Sequence, residues 1–402
     1  MPWLETEPMR ERMRFIDAVE SGEQTLAEWC RQFGISRKTG YKWLARFAAE
    51  GSAGLLDRSR APHQCPHAVS VEVREAVIAL RSHYPTWGPK KLAVKLAEQH
   101  PELVVPAPST IGDLLAAAGL VGRRRRRRHV PPHTQPFAHA TAPNHVWCAD
   151  FKGDFALGDG QRCYPFTLSD ADSRFLLRCQ ALPTPARERV QPIMEAAFRE
   201  YGLPDRLRTD NGPPFASVAL SGLTALSIWW VKLGIIPERI DPGKPNQNGR
   251  HERLHLTLKM EACREPATSL RGQQQRFDDF RQLYNADRPH EALGQRTPAS
   301  VYTPSSRPFP NRLPELTYPD ADGVRRVRPS ARIRWKNREI YISKALIGES
   351  VGVTQVGEGQ WQVTFGPLVL GIWTEGTKLL LPAHKLPRHQ NTTTTTTLET
   401  TP

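Results

Sequence analysis

The sequence predicts a multidomain α/β protein: two N-terminal helical units, a central α/β core built on a mixed five-stranded sheet, and a small β module near the C-terminus. Three observations lead there. Residues 9–122 show apolar spacing of helical period, broken by Gly-containing turns. Residues 144–263 alternate strand-like and helix-like runs in the order β-β-β-α-β-α-β-α. Residues 325–382 hold five short apolar runs divided by Asn and Gly turns.

Bulk properties narrow the class. The chain has 402 residues with 55 Lys and Arg against 41 Asp and Glu, a net charge of +14. Such a balance favours a polyanionic partner, because lysine and arginine release condensed counterions from phosphates. Mean hydropathy is −0.51, and no run approaches the ~20 apolar residues of a membrane span. With no apolar leader at the N-terminus, a cytoplasmic, nucleoid-associated protein is expected. Six cysteines at 30, 65, 148, 163, 179 and 263 lack paired spacing and are expected to stay reduced.

The first unit covers 1–56. Met13, Phe15, Ile16 and Val19 line one helix. Thr25 followed by Glu28 forms a capping box for the next, which stops at Gly34. Ser36 caps a third helix, Arg37 to Ala49, which presents Arg37, Lys38, Lys42 and Arg46, with Tyr41, Trp43, Leu44 and Phe47 for packing. Helix, turn and a helix with a basic start make a helix-turn-helix pattern; an ordinary three-helix bundle with a solvated basic face has the same signature. Residues 57–70 read as a linker, where alternating His63, Cys65 and His67 suit extended chain better than a zinc site.

A second helix-turn-helix unit spans 71–122, with helices at Val71–His83, Gly88–Gln99 (carrying Lys90 and Lys91) and Thr110–Ala118, the last capped by Ser109. Residues 123–143 are a basic, proline-rich linker. Its run Arg123, Arg124, Arg125, Arg126, Arg127 and Arg128 suits phosphate or minor-groove contact.

Residues 144–302 form the core. Three strands joined by tight turns come first, with Asp150 inside the first and facing away from Trp147 and Phe151. Asp154, Asp170 and Asp172 are assigned to turns and solvent. After a helix at Arg187–Tyr201, a fourth strand ends at Asp210, where Asn-Gly opens a turn. A helix, a fifth strand and a polar loop follow, and Glu252 lies in the first turn of the next helix. Three acids from three elements can hold two divalent cations about 3.5–4 Å apart, the arrangement that phosphoryl transfer needs. Each acid alone has a plainer reading: a buried strand residue, a surface turn, a helix N-terminal charge. His251 and His255 share a helix face, but no third ligand at zinc spacing accompanies them in the sequence.

Three segments carry a resemblance: Trp147-Cys-Ala-Asp150-Phe-Lys-Gly; Arg208-Thr-Asp210-Asn-Gly-Pro-Pro-Phe; and Lys244-Pro-Asn-Gln-Asn-Gly-Arg-His-Glu252-Arg-Leu-His-Leu-Thr-Leu-Lys259. They resemble the acid motifs of DDE transposases of bacterial insertion sequences, relatives of retroviral integrases with a ribonuclease-H-like core. Tyr284 through Pro298 is similar to the segment that follows that core. The resemblance implies that Asp150, Asp210 and Glu252 are catalytic metal ligands for two Mg2+ ions, with Mn2+ as substitute. Asp150 would be shared between the two ions. It further implies cleavage and strand transfer on double-stranded DNA, at transposon ends and target, by a homo-oligomer of at least two copies. Arg250, Arg253, His255 and Lys259 on or near the Glu252 helix are candidate phosphate contacts; a solvated basic helix face is the alternative. One departure is the 41-residue interval between Asp210 and Glu252, longer than the family's usual spacing, with the surplus assigned to 219–230. A non-catalytic DNA-binding regulator or a helper subunit on the same fold, and a site-specific integrase or nuclease on the same core, remain alternatives.

Residues 303–324 are a linker. The module at 325–385, whose first edge carries Arg325, Arg326, Arg328, Arg332, Arg334, Lys336 and Arg338, is expected to be a small SH3-like β-barrel; the resemblance implies that it binds DNA without sequence preference, and a packing module is the alternative. The Thr-rich end at 386–402 is expected to be disordered.

Overall fold

The structure is a computed structural model describing residues 7–58, 68–122, 139–210, 212–215, 222–239, 249–377 and 379–383, except the side chains of residues 239 and 250. The arginine run, the His63–His67 segment, the 244–248 loop and the Thr-rich end lie outside these residues. The chain divides into two compact units, residues 1–69 and 70–402.

The first unit holds α1 (Pro8–Glu20), α2 (Leu26–Gln32) and α3 (Arg37–Glu50). The capping box forms as expected: the Thr25 backbone N–H and hydroxyl donate to Glu28 at 2.8 and 2.7 Å. Ser36 Oγ accepts from Thr39 N at 3.1 Å. The core is Phe15, Ile16, Cys30, Trp43 and Leu55. Gly40 permits it: a Cβ there would stand 2.6 Å from Cys30 Sγ and 3.1 Å from Phe15 Cζ. Gly40→Ala should therefore destabilise this unit by about 1–3 kcal/mol through overpacking, although Ala is the better helix former by about 1 kcal/mol. A lowered urea midpoint would show it; a raised one would mean that helix propensity outweighs the close approach.

In the second unit, α4 (Val71–His83), α5 (Pro89–Gln99) and α6 (Pro108–Ala117) bury Val77, Leu80, Leu92, Leu96, Ile111 and Leu115. The cap of α6 falls at Ala107 rather than Ser109, because Pro108 fits the first helical position and starts the helix earlier.

The central sheet contains β1 (Val146–Phe151), β2 (Phe155–Ala156), β3 (Arg162–Asp170), β4 (Leu176–Leu182), β5 (Arg206–Thr209) and β6 (Ile236–Arg239). The main order is β4-β3-β1-β5-β6, with the two-residue β2 paired to β3. The β1–β3 and β3–β4 pairs are antiparallel, while β1–β5 and β5–β6 are parallel. The mixed five-stranded sheet thus forms, with β2 added as a short extra strand. One face packs on α7 (Arg187–Tyr201) and α8 (Ala225–Lys232), through Trp147, Phe166, Leu168, Met194, Phe198 and Trp230. The other face packs on α9 (Gly249–Leu258) and α10 (Leu270–Gln282), through Cys163, Leu176, Cys179, Leu254, Leu258 and Phe277. Alternation along β3 and β4 supplies both faces from the same strands.

Asp170 closes the β3–β4 turn, as expected, but it is 1% exposed rather than solvated. Its carboxylate accepts from Ser173 N and Oγ at 2.7 and 2.6 Å and from Asn144 N at 2.8 Å. Burial still pushes its pKa above the usual carboxylate value.

The C-terminal module holds β7 (Gly323–Arg326), β8 (Arg332–Trp335), β9 (Arg338–Tyr341), β10 (Ser350–Gly357), β11 (Gln360–Phe365), β12 (Leu368–Thr374) and β13 (Leu381–Pro382). Among the described residues these strands do not close into a barrel. They form a five-stranded sheet, β13-β12-β11-β10-β7, and a separate β8–β9 hairpin. Closure would need a ladder between the hairpin and the sheet edge; among the described residues an isolated bridge, Tyr341–Leu379, stands there instead. The apolar run Val327–Trp335, one of the five expected strands, breaks at a turn where Ala331 has φ 60°. The module's core also takes Leu223, Ile228 and Val231 from the region of α8, so it packs on the central fold.

Candidate metal centre and nucleic-acid interface

Strand register places the first two acids. β1 and β5 run parallel with Val146 opposite Arg206 and Ala149 opposite Thr209. Asp150 and Asp210 are the next positions, at the C-terminal ends of neighbouring strands about 4.8 Å apart. Trp147, Ala149 and Leu207 point into the α7–α8 side core. Alternation therefore puts Asp150 and Asp210 on the opposite face, as expected for Asp150. That is the face α9 covers.

Asp210 Oδ1 is buried, with no hydrogen-bond partner among the described residues. Burial raises the Asp210 pKa, opposed in part by the Gly212 backbone N–H. A desolvated carboxylate oxygen without a donor is unfavourable unless a cation or proton meets it, so the residue fits a divalent ion. Glu238, the other acid in this stretch, is held by Arg206 and Arg208 at 3.2 and 2.8 Å on the neighbouring strand. That pairing explains its charge without a metal.

Glu252 occupies the first turn of α9 and is exposed. Among the described residues, the group of three His, Cys, Asp or Glu side chains whose ligand atoms all lie within 4.8 Å of one another is Asp150, His251 and His255. A third candidate ligand thus does accompany the two histidines, supplied by β1 and invisible to sequence spacing. Thr167, opposite Asp150 on β3, holds both rings: its Oγ1 lies 2.7 Å from His251 Nε2 and 2.8 Å from His255 Nε2. No sequence signal singled out Thr167.

Burial keeps these rings neutral. The His251 pKa falls to about 3, and that of His255 to about 2 with help from His251 and Lys152. His290, against Tyr284, falls to about 3 by burial and by Lys91, Arg288 and Arg174. The unfolded chain takes up protons near pH 6.5 that the folded chain refuses until far lower pH. Metal-free protein should therefore lose stability as pH falls below 6.5, by about 1.4 kcal/mol per pH unit for each such ring. Urea midpoints at pH 7.5 and 5.0 measure this, and His290→Gln should remove one ring's share of the slope. Equal midpoints would mean that the rings ionise freely in the fold.

The basic candidates divide. Arg37, Lys38 and Lys42 are exposed on α3, with Tyr41 beside them at 63% exposure rather than packed inside. Arg46 is occupied: it stacks 4.8 Å from the Trp43 ring centroid and donates to Leu56 O at 2.8 Å. Lys90 pairs with Glu291, and half-buried Lys91 has its pKa lowered to about 8 by burial and nearby Arg288. Arg253 and Lys259 are exposed. Arg250 lies in α9, but its side chain is outside the described residues.

The 284–298 motif has a structural explanation. Asn285 Oδ1 accepts from Leu176 N at 2.8 Å and Nδ2 donates to Leu176 O at 2.9 Å, which satisfies the β4 backbone at its edge. Asp287 binds Lys95 and the Tyr84 hydroxyl, tying α4 and α5 to the core.

Family models match along the chain. A helix-turn-helix domain matches residues 11–63, a homeodomain-like domain residues 39–115, and integrase core domains residues 140–245 and 233–298. The chain is 33% identical over 188 residues to the insertion element IS407 uncharacterized 31.7 kDa protein of Burkholderia multivorans; the match covers 46% of this chain and 65% of that one. It is 29% identical over 280 residues to the insertion element IS476 uncharacterized 39.2 kDa protein of Xanthomonas euvesicatoria, covering 69% and 78%. A solved HTLV-2 integrase catalytic core in complex with magnesium aligns at 16% identity and TM-score 0.33, over 40% of this chain and 99% of that one. A simian T-cell lymphotropic virus intasome aligns at 15% and 0.36, over 73% and 97%. No helix among the described residues is long and apolar enough to cross a membrane.

Proposed function

We propose that this chain, an insertion-sequence transposase with an integrase-like core behind N-terminal helix-turn-helix domains, cleaves and joins DNA at the ends of its element. The observation that carries the reading is the pairing of Asp150 with Asp210 at the ends of adjacent parallel strands, Asp210 Oδ1 being buried without a donor. Asp150 and Asp210 would hold one divalent cation, Mg2+ or Mn2+, and Asp150 with Glu252 the second. When bound, such ions activate an attacking oxygen and stabilise a leaving one.

The chain's own residues supply position. The exposed Arg37, Lys38 and Lys42 of α3 would hold end DNA, with the arginine run at 123–128 on neighbouring phosphates. Arg253 and Lys259 would hold the backbone beside the acids. Water attacks a phosphodiester at the element's end, the P–O bond breaks and a 3′-hydroxyl is released. That hydroxyl then attacks a target phosphodiester, losing its proton to solvent as the target 3′-oxygen leaves. Two ends must be joined together, so at least two copies would act on one DNA pair.

The test is incubation of the full chain with end-containing DNA and target in Mg2+, in Mn2+ and in EDTA. End-specific nicks and joined products in either metal, absent in EDTA, are expected. DNA binding with no product in either metal would sink the enzymatic reading and favour a regulator or helper on the same fold.

A further inference from the structure

We propose that Asp150, His251 and His255 form a second kind of metal site, for a borderline transition-metal cation of the zinc class, distinct in its ligands from the all-carboxylate set. The site shares Asp150 with the proposed catalytic acids but does not depend on their activity.

Hydrogen counting at Thr167 leads to it. Thr167 Oγ1 contacts Asp150 O at 3.2 Å, His251 Nε2 at 2.7 Å and His255 Nε2 at 2.8 Å. A hydroxyl has one proton and two lone pairs. The carbonyl can only accept, so the hydroxyl proton goes to Asp150 O. Both ring nitrogens must then donate to Oγ1. Each ring is fixed as the Nε2–H tautomer, and each Nδ1 keeps its lone pair.

His255 Nδ1 lies 3.9 Å from Asp150 Oδ2. Both atoms are acceptors in this arrangement, and the gap is too long for a hydrogen bond. It does suit two ligands of one ion, since bonds of about 2.1 Å allow separations up to about 4.2 Å. His251 completes a group whose ligand atoms all lie within 4.8 Å of one another. Thr167 plays the part of the outer partner that orients ligating imidazoles through their second nitrogen. The rings are 2% and 7% exposed, so their orientation is set by packing before any ion arrives.

Ligand chemistry selects the ion. Mg2+ prefers oxygen donors and keeps its waters. Two imidazoles and one carboxylate suit Zn2+ or Co2+, with a fourth position for water. Occupancy would draw Asp150 toward α9 ligands, so zinc should lower magnesium-supported joining.

The test uses metal-free full-length protein and Co2+ as probe, without DNA. We expect one equivalent to bind, with visible bands of nitrogen and oxygen ligation. Proton spectra should show two paramagnetically shifted, exchangeable imidazole N–H signals from the two Nε2–H groups. His255→Gln should weaken binding by at least about tenfold, and Thr167→Val by about 10–100-fold, while Asp210→Asn leaves it unchanged. The wild-type spectra decide the matter even if a histidine variant does not fold. A sulfur-to-cobalt charge-transfer band, absence of shifted imidazole signals, or equal weakening by Asp210→Asn would overturn the site. Because the readout is binding without DNA, failure here leaves the transposase reading standing, and loss of joining alone leaves this site standing.

Discussion

Asp210→Asn should lower Mg2+-supported strand joining by at least about a thousandfold, the effect of losing roughly 4 kcal/mol of transition-state stabilisation, with end-DNA binding unchanged. The substitution keeps the side chain's shape and removes its charge. In metal-free protein the same change should raise stability slightly at neutral pH. Burial raises the Asp210 pKa, and its Oδ1 has no donor among the described residues, so a charge on this carboxylate is uncompensated in the metal-free fold. A carboxylate kept for structure would behave in the opposite way, and its loss would destabilise the fold. Gel-shift binding, joining and a urea midpoint on one preparation separate the two. Joining near the wild-type rate would remove Asp210 from the site.

Trp147→Ala should cost about 3–5 kcal/mol of stability, the range for truncating a fully buried large aromatic. Trp147 is fully buried in β1 and stacks on Phe198 of α7, with centroids 5.8 Å apart. Its Nε1 donates to Asn144 Oδ1 at 3.0 Å, and the Tyr302 hydroxyl donates to the same oxygen at 2.9 Å. Asn144 Nδ2 donates to Thr303 O at 2.8 Å, so one asparagine joins the start of the core to its end. The variant removes a sheet-to-helix contact and one of two donors to a buried acceptor. Denaturant unfolding should show the loss, and a cost under about 1 kcal/mol would mean that the core can collapse around the gap.

Much of this arrangement was legible in the sequence. Alternation in Trp147–Phe151 gave the facing of Asp150, because period-two burial is local. Asn-Gly after Asp210 marked a strand end for a similar reason. The capping residues Thr25, Glu28 and Ser36 were found because caps are contacts between near neighbours. What stayed hidden was long-range. Asp150 meets His255 across about a hundred residues, and Thr167 joins them from a third element. Asp170 looked like a solvated turn acid, yet its donors from Asn144 and Ser173 allow it to be buried. Lys90 pairs with Glu291, and nothing near Lys90 in the sequence marks that distant partner. The C-terminal strands were visible one by one. Whether a sheet closes depends on how its edges meet, and no local pattern encodes that.

The most direct test of the central claim, that the strand-end carboxylate binds the ion supporting joining, is a change of metal preference in Asp210→Cys. A thiolate disfavours Mg2+ and accepts softer cations. Strand joining by this variant should be lost in Mg2+ and restored in part by Mn2+ or Cd2+, while Asp172→Cys, in the β3–β4 turn, behaves as wild type. Mg2+-supported joining by Asp210→Cys at the wild-type rate would contradict the assignment of Asp210 as a metal ligand.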